Sequence, residues 1–322
     1  MEPDVKSYRR NTIGGFICIL IWATSVAFGR TLTESLGIYT SNAIICILGG
    51  LIGLVFQIKN NGLVAIFKDT PKMYWTLCMP LYVIYRISTN IALGIATTRE
   101  QVVTSGLIRM MWPLITLVIA VMMFKDENKA HPMFLIGVAL CIVGVIVCNG
   151  SADDFTVRGI ISNFRDAAWP SVFSTVSAIS WALYSNLFRL VSKDKEFDSI
   201  SILFLVTGVI SLVISFFVDE PRQFHIKQAF ELFYSVVFVT FVATLLWNNA
   251  MQKGNHMLII YASNFLPAVT TIFSALMLGV KLTVPMIVGS LLVVFGIIVS
   301  KRYIKTVNKQ EISEEAGAVD EV

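Results

Sequence analysis

Ten apolar runs, each long enough to cross a lipid bilayer as a helix, constrain this chain more than any other feature. A helix needs about 20 mostly apolar residues to span the hydrocarbon core. The runs occupy 12–28, 40–57, 73–96, 101–124, 131–149, 168–189, 199–218, 229–251, 256–279 and 283–301. With 56% hydrophobic and only 14% charged residues, the chain has too little polar surface for a water-soluble globule. We predict an all-α integral membrane protein, and we exclude a nucleic-acid-binding protein, a disordered chain and a small disulfide-rich domain.

The distribution of basic residues predicts which side of the membrane holds the termini. Ten crossings place both termini on one side, and cytosolic connections are enriched in Lys and Arg. The terminal side carries 16 of the 25 basic residues, the opposite side carries seven, and Arg86 and Arg109 lie inside runs. We therefore expect both termini in the cytosol. Basic residues before the first run are also typical of a signal peptide, but no small-residue cleavage site follows, which favours retention of this run.

The two halves of the chain resemble each other at an offset of about 155 residues. The matched positions run in order: Trp22 with Trp181, Asn90 with Asn248, Pro113 with Pro267, Gly137 with Gly289, and Gly144 with Gly296. Each half contains five runs, an odd number, so the second half enters the membrane in the opposite orientation. Inverted repeats of this kind are typical of secondary transporters, which bind their substrate near the midplane between the repeats.

The repeat defines the predicted domain organisation. It comprises a cytosolic N-terminus at 1–11, a first five-helix repeat at 12–149, an extracytoplasmic connection at 150–167, a second five-helix repeat at 168–304 and a cytosolic tail at 305–322. We expect the tail to be disordered, because it is polar and lacks apolar periodicity.

Five short sequence runs carry a resemblance to a known transporter family. They are Ile21-Trp22 through Arg30 with Glu34-Ser35-Leu36-Gly37, Ala92-Leu93-Gly94 with Ala96-Thr97-Thr98, Trp112-Pro113-Leu114, Trp181-Ala182 with Tyr184, and Trp247-Asn248. With these runs the chain resembles the EamA-type, ten-helix members of the drug/metabolite transporter superfamily over its whole length. Within that group it is most similar to the bacterial aromatic amino-acid exporters. The resemblance implies a bacterial inner-membrane protein with a small-molecule substrate.

Polar and aromatic side chains inside the runs are the candidate site residues, because polar groups at membrane depth usually face a protein or water-filled interior. Tyr82, Arg86 and Asn90 recur every four residues and so share one helix face. The candidate substrate-binding residues are Trp22, Tyr82, Arg86, Asn90, Arg109, Trp181, Tyr184, Thr244, Trp247, Asn248 and Ser263. The resemblance implies that runs 1, 3, 4, 6, 8 and 9 line the path and that the other four form the periphery.

Arg86 and Arg109 are the most informative candidates, because a buried arginine costs at least about 2.5–3.5 kcal/mol at a helix centre. None of the 21 acidic residues lies in the middle of a run, where it could pair with them. A substrate carboxylate or phosphate would supply the missing partner, since a guanidinium binds either group with two parallel hydrogen bonds. The alternative is that both side chains reach an interface, or bond to carbonyls freed at Pro80 and Pro113.

Pro113 and Pro267 interrupt the fourth and ninth runs at equivalent points. We predict paired helix breaks that bend during gating, with a static kink as the alternative. The rings of Trp22, Trp181 and Trp247 are predicted to stack on a flat substrate or to hold its ammonium by cation–π contact. Anchoring at the membrane interface is the alternative for tryptophan.

Four glycines, Gly137, Gly144, Gly289 and Gly296, recur at seven-residue spacing in the fifth and tenth runs. Small residues allow membrane helices to approach closely. They predict close helix packing within the chain or the face of a weak homodimer, so that a monomer and a dimer both remain open.

The motifs required by other function classes are missing from the sequence. No G-x-x-x-x-G-K-[ST] phosphate loop occurs, so ATP does not drive transport. The five cysteines have no metal-ligand spacing, and we expect no cofactor and no metal. An intramembrane enzyme would need a nucleophile with a base, a carboxylate pair or a metal cluster at membrane depth, and a channel would not need two arginines that meet one solute.

We therefore predict a secondary transporter and not an enzyme. The expected function is export of amino acids, aromatic or otherwise neutral, by exchange or uniport. An organic-anion or sugar-phosphate exchanger of the same fold is the alternative, because the two arginines would serve it equally well.

Overall fold

Helices make up nearly all of the chain that the structure, a computed structural model, describes: residues 5–61, 63–125, 128–150, 156–192 and 199–306. The α-helices in chain order are Val5–Ala23 (α1), Ser25–Leu36 (α2), Ile38–Asn61 (α3), Leu63–Lys68 (α4), Met79–Ile95 (α5), Arg99–Arg109 (α6), Trp112–Met123 (α7), Phe134–Cys148 (α8), Val157–Asp166 (α9), Ala168–Val191 (α10), Ile200–Ser215 (α11), Ile226–Phe233 (α12), Ala243–Lys253 (α13), His256–Ser263 (α14), Leu266–Leu278 (α15) and Val284–Arg302 (α16). The π-helical segment Tyr74–Cys78 leads into α5, and a second one, Tyr234–Val242, joins α12 to α13.

Apolar helices of membrane-crossing length dominate this fold, and all ten predicted runs fall on helical residues. Within the described residues, six helical stretches are long and apolar enough to cross a membrane: Lys6–Leu36, Ile38–Lys59, Tyr74–Ile95, Arg99–Met123, Ile226–Met251 and Val284–Arg302. Three shorter apolar helices are Phe134–Cys148, Ile200–Ser215 and Leu266–Leu278. Large apolar side chains such as Val55 (64% exposed) and Leu135 (65% exposed) point outwards, as expected for contact with lipid. The chain is a helical membrane protein.

Helix α10 coincides with the sixth predicted run and carries several small polar side chains along its length. Its small polar side chains Ser174 and Ser177 and its amide side chain Asn186 are buried. The Ser177 hydroxyl lies 2.7 Å from the Thr89 hydroxyl on α5, and Asn186 Nδ2 donates to the Thr116 carbonyl oxygen on α7 at 3.1 Å. The polar face of α10 is therefore covered by other helices of the bundle.

Two parts of the structure differ from the predicted boundaries. Helix α1 begins at Val5, seven residues before the first run. The additional residues include Lys6, Arg9 and Arg10, whose charges ended the apolar pattern but do not end the helix. The connection between the halves contains α9, which we did not predict; Thr156 caps it by accepting a hydrogen bond from the Gly159 N–H at 3.1 Å.

A two-stranded antiparallel ladder makes the fold not purely helical. Strand β1 (Asn128–Ala130) pairs with strand β2 (Ile304–Thr306). Strand β2 extends two residues into the segment that we predicted to be a disordered tail, 305–322. Lys305 and Thr306, the first two residues of that segment, are therefore ordered by pairing with β1. Residues 307–322 of that tail and 1–4 of the N-terminal segment lie outside the described residues.

Contacts between connections define two ends of the bundle. At the end that we call the Glu34 end, the backbone N–H of Gln223 donates to the Ser35 carbonyl oxygen at 2.8 Å. At the opposite end, which we call the terminal end, β1 pairs with β2, and the backbone N–H of Asn255 donates to Thr12 Oγ1 at 2.9 Å.

Helices α8 and α16 pack against each other along the four glycines that we singled out in the sequence. A Cβ added to Gly144 would lie 2.6 Å from the carbonyl oxygen of Gly289, and one added to Gly137 would lie 2.5 Å from that of Gly296. All four glycines are buried. They therefore serve packing within one chain, and they do not present a free face to a second copy.

Candidate functional site

A cavity of about 210 Å³ lies between the two halves of the chain. Seven of the predicted site residues line it: Trp22, Tyr82, Arg86, Asn90, Arg109, Trp181 and Thr244. The first five come from the first half and the last two from the second. The fold thus brings into one cavity residues that lie more than 200 positions apart in the sequence.

Two further candidates stand behind the cavity wall. The ring of Trp247 lies 5.3 Å from that of Trp22, centroid to centroid. Tyr184 is buried with its ring 5.5 Å from that of Tyr82. Both rings support lining residues and do not themselves line the cavity.

The remaining candidates, Ser263 and Asn248, are not brought into the cavity by any described side-chain contact. The Ser263 hydroxyl donates to the Ile260 carbonyl oxygen of its own helix at 2.9 Å. The backbone of Asn248 belongs to α13, and its side chain lies outside the described part of the chain.

Helix breaks surround the cavity at equivalent places in the two halves. Helix α6 ends at Arg109 and α7 follows with Pro113 as its second residue, while α14 ends at Ser263 and α15 follows with Pro267 as its second residue. Proline suits the first turn of a helix, because its missing N–H would have no intrahelical partner there. A third break, at Thr24, separates α1 from α2.

Arg109 is the last residue of α6 and faces the break in the first run. Its Nη2 donates to Ser25 Oγ, in the first turn of α2, at 3.3 Å, and Tyr85 lines the same cavity. The carbonyl end of a helix carries partial negative charge, which stabilises a cation placed there. The break therefore offsets part of the cost of burying this guanidinium.

Arg86 is held by neutral groups at long distances. Its Nη2 lies 3.4 Å from Asn42 Oδ1 and 3.5 Å from Cys46 Sγ. Its Cζ lies 5.7 Å from the centroid of the Phe204 ring. An amide, a thiol and a ring face attract a guanidinium more weakly than a carboxylate does.

The charge of the two arginines is not compensated inside the cavity. No acidic side chain lines it among the described residues, and the two guanidiniums repel each other. The Nε atoms of Arg86 and Arg109 are both buried without a hydrogen-bond partner, and a buried donor left unpaired costs about 1–3 kcal/mol. Because both side chains line an interior cavity, neither reaches for the membrane interface. A guest with anionic oxygens would satisfy them.

Aromatic rings form one wall of the cavity. The Trp181 ring lies 4.7 Å from that of Tyr85 and 6.2 Å from that of Trp112, centroid to centroid. The Tyr82 ring lies 5.5 Å from that of Phe204. Tilted and edge-on rings at these distances form a wall on which a planar apolar group packs well.

The wider turns of the second π-helical segment lie next to the cavity. Thr240, a lining residue, donates its hydroxyl to the Ser235 carbonyl oxygen five positions earlier at 2.9 Å. The Trp22 indole N–H donates to the Val239 carbonyl oxygen at 3.3 Å. π-helical turns occur frequently at functional sites, and this one connects the first run to the eighth.

The prediction that the second and seventh runs form only the periphery is wrong, because Ile45 of α3 and Phe204 of α11 line the cavity. Asn42 of α3 is fully buried beside them: its Oδ1 accepts from Asn90 Nδ2 at 3.0 Å and its Nδ2 donates to Ser211 at 2.8 Å. The amide of Asn42 near the start of a mostly apolar run was the signal for this contact.

Seven aromatic or hydroxyl residues that line the cavity were not among our candidates: Ser25, Tyr85, Thr89, Trp112, Phe204, Ser235 and Thr240. Tyr85 and Thr89 precede Arg86 and Asn90 by one position each. The spacing of Tyr82, Arg86 and Asn90 predicted that one face of α5 lines the site. The cavity also contacts the adjacent face of α5, which carries Tyr85 and Thr89.

Ion pairs close the Glu34 end above the cavity. Glu34 forms an ion pair with each of two arginines. Its Oε1 lies 2.7 Å from Arg30 Nε, and its Oε2 lies 3.1 Å from Arg99 Nη2. Arg30 Nη1 also donates to the carbonyl oxygens of Leu93 at 2.5 Å and of Gly94 at 3.2 Å. These bonds tie α2 to the end of α5 and to the start of α6.

Comparison with known proteins points to membrane transport. The sequence model of the EamA-like transporter family matches residues 11–150 and 169–301. The aromatic amino acid exporter YddG of Escherichia coli K12 is 26% identical over 288 residues, which are 89% of this chain and 95% of that protein. YddG of Salmonella typhimurium is also 26% identical, over 289 residues with the same coverage of both chains.

Two further proteins are similar to this chain, one in sequence and one in structure. The uncharacterized transporter YyaM of Bacillus subtilis is 24% identical over 208 residues, 63% of this chain and 65% of that protein. A solved crystal structure superimposes with a TM-score of 0.65 at 16% sequence identity and covers 91% of this chain and 98% of its own. That structure shares the fold.

Proposed function

Because the chain belongs to the EamA-like transporter family, a family of transporters and not of enzymes, we propose that it exports amino acids across the bacterial inner membrane by alternating access. Secondary transporters of inverted-repeat architecture bind substrate between their halves and rock one half against the other. The cavity is lined from both halves, which supports this mechanism. The YddG relatives are aromatic amino acid exporters, which supports the substrate class.

The membrane arrangement belongs to the same proposal. Ten helical crossings form two inverted repeats, 12–149 and 168–304, with both termini in the cytosol. In support, all ten predicted runs fall on helices, the family match occupies both halves separately, and basic residues are concentrated on the terminal side.

The observation that carries the proposal is the guanidinium of Arg109 at the end of α6, which has no carboxylate partner among the described residues that line the cavity. Its buried Nε lacks an acceptor. A substrate carboxylate would accept a charge-assisted hydrogen bond from this Nε–H. The rings of Tyr85, Trp112 and Trp181 form a wall for an aromatic or other apolar side chain. The other predicted site residues, Pro113 and Pro267 included, act in this proposal as lining, supporting or gating positions.

Gating follows from where the helices are interrupted. At the ends of α6 and α14 the backbone continues through three-residue turns, in which the Met111 N–H donates to the Ile108 carbonyl oxygen and the Phe265 N–H to the Ala262 carbonyl oxygen, both at 3.0 Å. Tilting of α6 against α7 and of α14 against α15 would break only a few such bonds. Substrate bound to Arg109 touches one of these joints directly. Binding and bending are coupled at that residue, and no nucleotide is needed to drive the movement.

A second candidate function is exchange of organic anions or sugar phosphates. It is favoured by the presence of two guanidiniums, Arg86 and Arg109, and by the lack of a carboxylate lining the cavity among the described residues. An amino-acid zwitterion adds no net charge to such a cavity, whereas a dianion neutralises both arginines.

Counterflow of labelled phenylalanine in proteoliposomes tests the proposal. Saturable exchange in which other neutral amino acids compete supports amino-acid export. Exchange that only dicarboxylates or phosphate esters support would favour the second candidate and overturn the first. Neither kind of exchange, in protein that is shown to be inserted and folded, would overturn both.

A further inference from the structure

Arg30 and Arg99 hold one carboxylate between two guanidiniums at the Glu34 end of the bundle. The two Glu34 oxygens lie 2.7 Å and 3.1 Å from their nitrogens. The Glu34 side chain is about one-third exposed and that of Arg99 about half exposed, so water reaches the cluster. The three side chains together, two guanidiniums and one carboxylate, carry one net positive charge.

Arg30 is fixed independently of Glu34. Its Nη1 donates to two carbonyl oxygens at the end of α5, those of Leu93 and Gly94. Arg99 is fixed in the same way, because its Nη1 donates to the Leu278 carbonyl oxygen at the end of α15 at 3.0 Å. Both guanidiniums therefore keep their positions when the Glu34 carboxylate moves away, and they present a preformed fork for another carboxylate.

The cluster adjoins the wall of the central cavity, although Arg30, Glu34 and Arg99 do not themselves line it. Gly29 and Leu93 line the cavity, and Arg30 follows Gly29 in sequence and bonds to Leu93. Ser25, which receives Arg109, lies five positions before Arg30 on the same helix, α2. At 1.5 Å per residue and 3.6 residues per turn, this separation is about 7.5 Å along the axis and about 140° round it, so a small anion would pass from the cavity face of α2 to the neighbouring face.

We propose that Arg30 and Arg99 form a second carboxylate-binding site, which the substrate enters on leaving the cavity by displacing Glu34. This inference rests on the proposed function. Glu34 occupies the site as a resident competitor and closes the end of the bundle while the substrate is bound at Arg109. When the substrate carboxylate replaces it, the tie between α2 and α6 is broken, and the same event opens the exit and supplies the departing anion with a partner.

The competitor model differs from a simple salt-bridge closure in the sign of its mutant effects. Glu34→Gln removes the competing charge and frees both arginines, so the substrate concentration for half-maximal exchange should fall about three- to tenfold. Arg99→Gln removes half of the site, so the same concentration should rise by a similar factor. If the cluster only closed the end of the bundle, both variants would lose the ion pair between Glu34 and Arg99. The half-saturating concentration would then shift in the same direction in both.

Counterflow in proteoliposomes measures this, with labelled phenylalanine as the probe, or labelled succinate if the wild type exchanges only dianions. Glu100→Gln is the matched control, because it removes a neighbouring exposed carboxylate for which the described residues provide no ion pair, and it should leave the half-saturating concentration unchanged.

Shifts of Glu34→Gln and Arg99→Gln in the same direction, or an Arg99→Gln variant identical to the wild type, would overturn the inference while leaving the proposed function intact. Arg99 is half exposed, so its variant provides a test even if Glu34→Gln does not fold. A wild-type protein that exchanges neither probe overturns the proposed function, and the second site falls with it.

Discussion

The guanidinium of Arg109 donates to the hydroxyl of Ser25 over 3.3 Å, and this bond joins two helix breaks. Arg109 ends α6, and Ser25 begins α2 directly after the break at Thr24. A cation in this position is stabilised by helix-end carbonyls and a hydroxyl, and it still keeps a buried N–H without an acceptor. The arrangement leaves bonding capacity for an anionic guest at the point where two helices can move.

Arg109→Gln should reduce exchange about ten- to a hundredfold. Hydrogen bonds to charged groups contribute about 1.5–3 kcal/mol, and each 1.4 kcal/mol corresponds to a factor of ten. The measurement is initial counterflow rate against substrate concentration in proteoliposomes. Arg158→Gln, which alters an exposed arginine on α9, is the control. Wild-type kinetics in the Arg109 variant would contradict the carboxylate role.

Asn42→Asp should inhibit transport and raise the melting temperature. The substitution places a carboxylate about where Asn42 Oδ1 lies, 3.4 Å from Arg86 Nη2. An internal partner would neutralise this guanidinium and compete with the substrate anion. Thermal unfolding in detergent and counterflow measure the two effects. Ser211→Ala removes the hydroxyl that accepts from Asn42 Nδ2 without adding charge, and it should produce neither effect. A fully active Asn42→Asp variant would exclude Arg86 from the site.

Trp181→Ala should weaken competition by phenylalanine about tenfold while leaving competition by alanine nearly unchanged. Aromatic pairs contribute about 0.5–1.5 kcal/mol beyond the area that they bury, and a methyl group reaches little of this wall. Inhibition constants for the two amino acids in counterflow give the ratio. Trp169→Ala on the same helix is the control, since its side chain is 69% exposed. Equal losses for both competitors would argue against a ring-binding wall.

Gly144→Ala should lower the free energy of unfolding by about 1–3 kcal/mol, the usual cost of overpacking. The new Cβ would lie 2.6 Å from the Gly289 carbonyl oxygen and 2.9 Å from the Val293 nitrogen, and backbone atoms cannot rotate away. Thermal unfolding in detergent checks this. Gly14→Ala is the matched control, because its nearest neighbour is the flexible end of Leu246 at 3.1 Å. Equal stability of the two variants would show that α8 and α16 have room to separate.

Hydropathy and proline placement predicted much of the architecture from the sequence. All ten apolar runs fall on helices, and breaks lie beside Pro113 and Pro267. The break at Thr24 was not predicted, because neither proline nor glycine marks it. The Thr24 hydroxyl bonds to the Ile21 carbonyl oxygen at 2.7 Å and lies 3.1 Å from the Tyr234 hydroxyl. That break depends on a tertiary contact that the local sequence does not reveal.

The candidate site was predictable where a polar side chain stands alone in an apolar run. Arg86, Asn90 and Arg109 were found in this way. Phe204 was not, because a uniformly apolar helix carries no sign of which face turns towards a cavity. Tyr184 has the residue type expected of a lining position, but it packs against the lining residue Tyr82 and does not itself line the cavity.

The buried polar face of α10 has a consequence for how the protein is made. Ser177 and Asn186 bond to residues of α5 and α7, helices that leave the ribosome earlier. A helix with these buried polar side chains enters lipid poorly by itself. If α5 and α7 are already in the membrane, they provide hydrogen-bond partners for it. The second half of the chain should therefore depend on the first during biogenesis, and a chain divided between residues 150 and 156 would be rescued only by synthesis of both pieces in one cell.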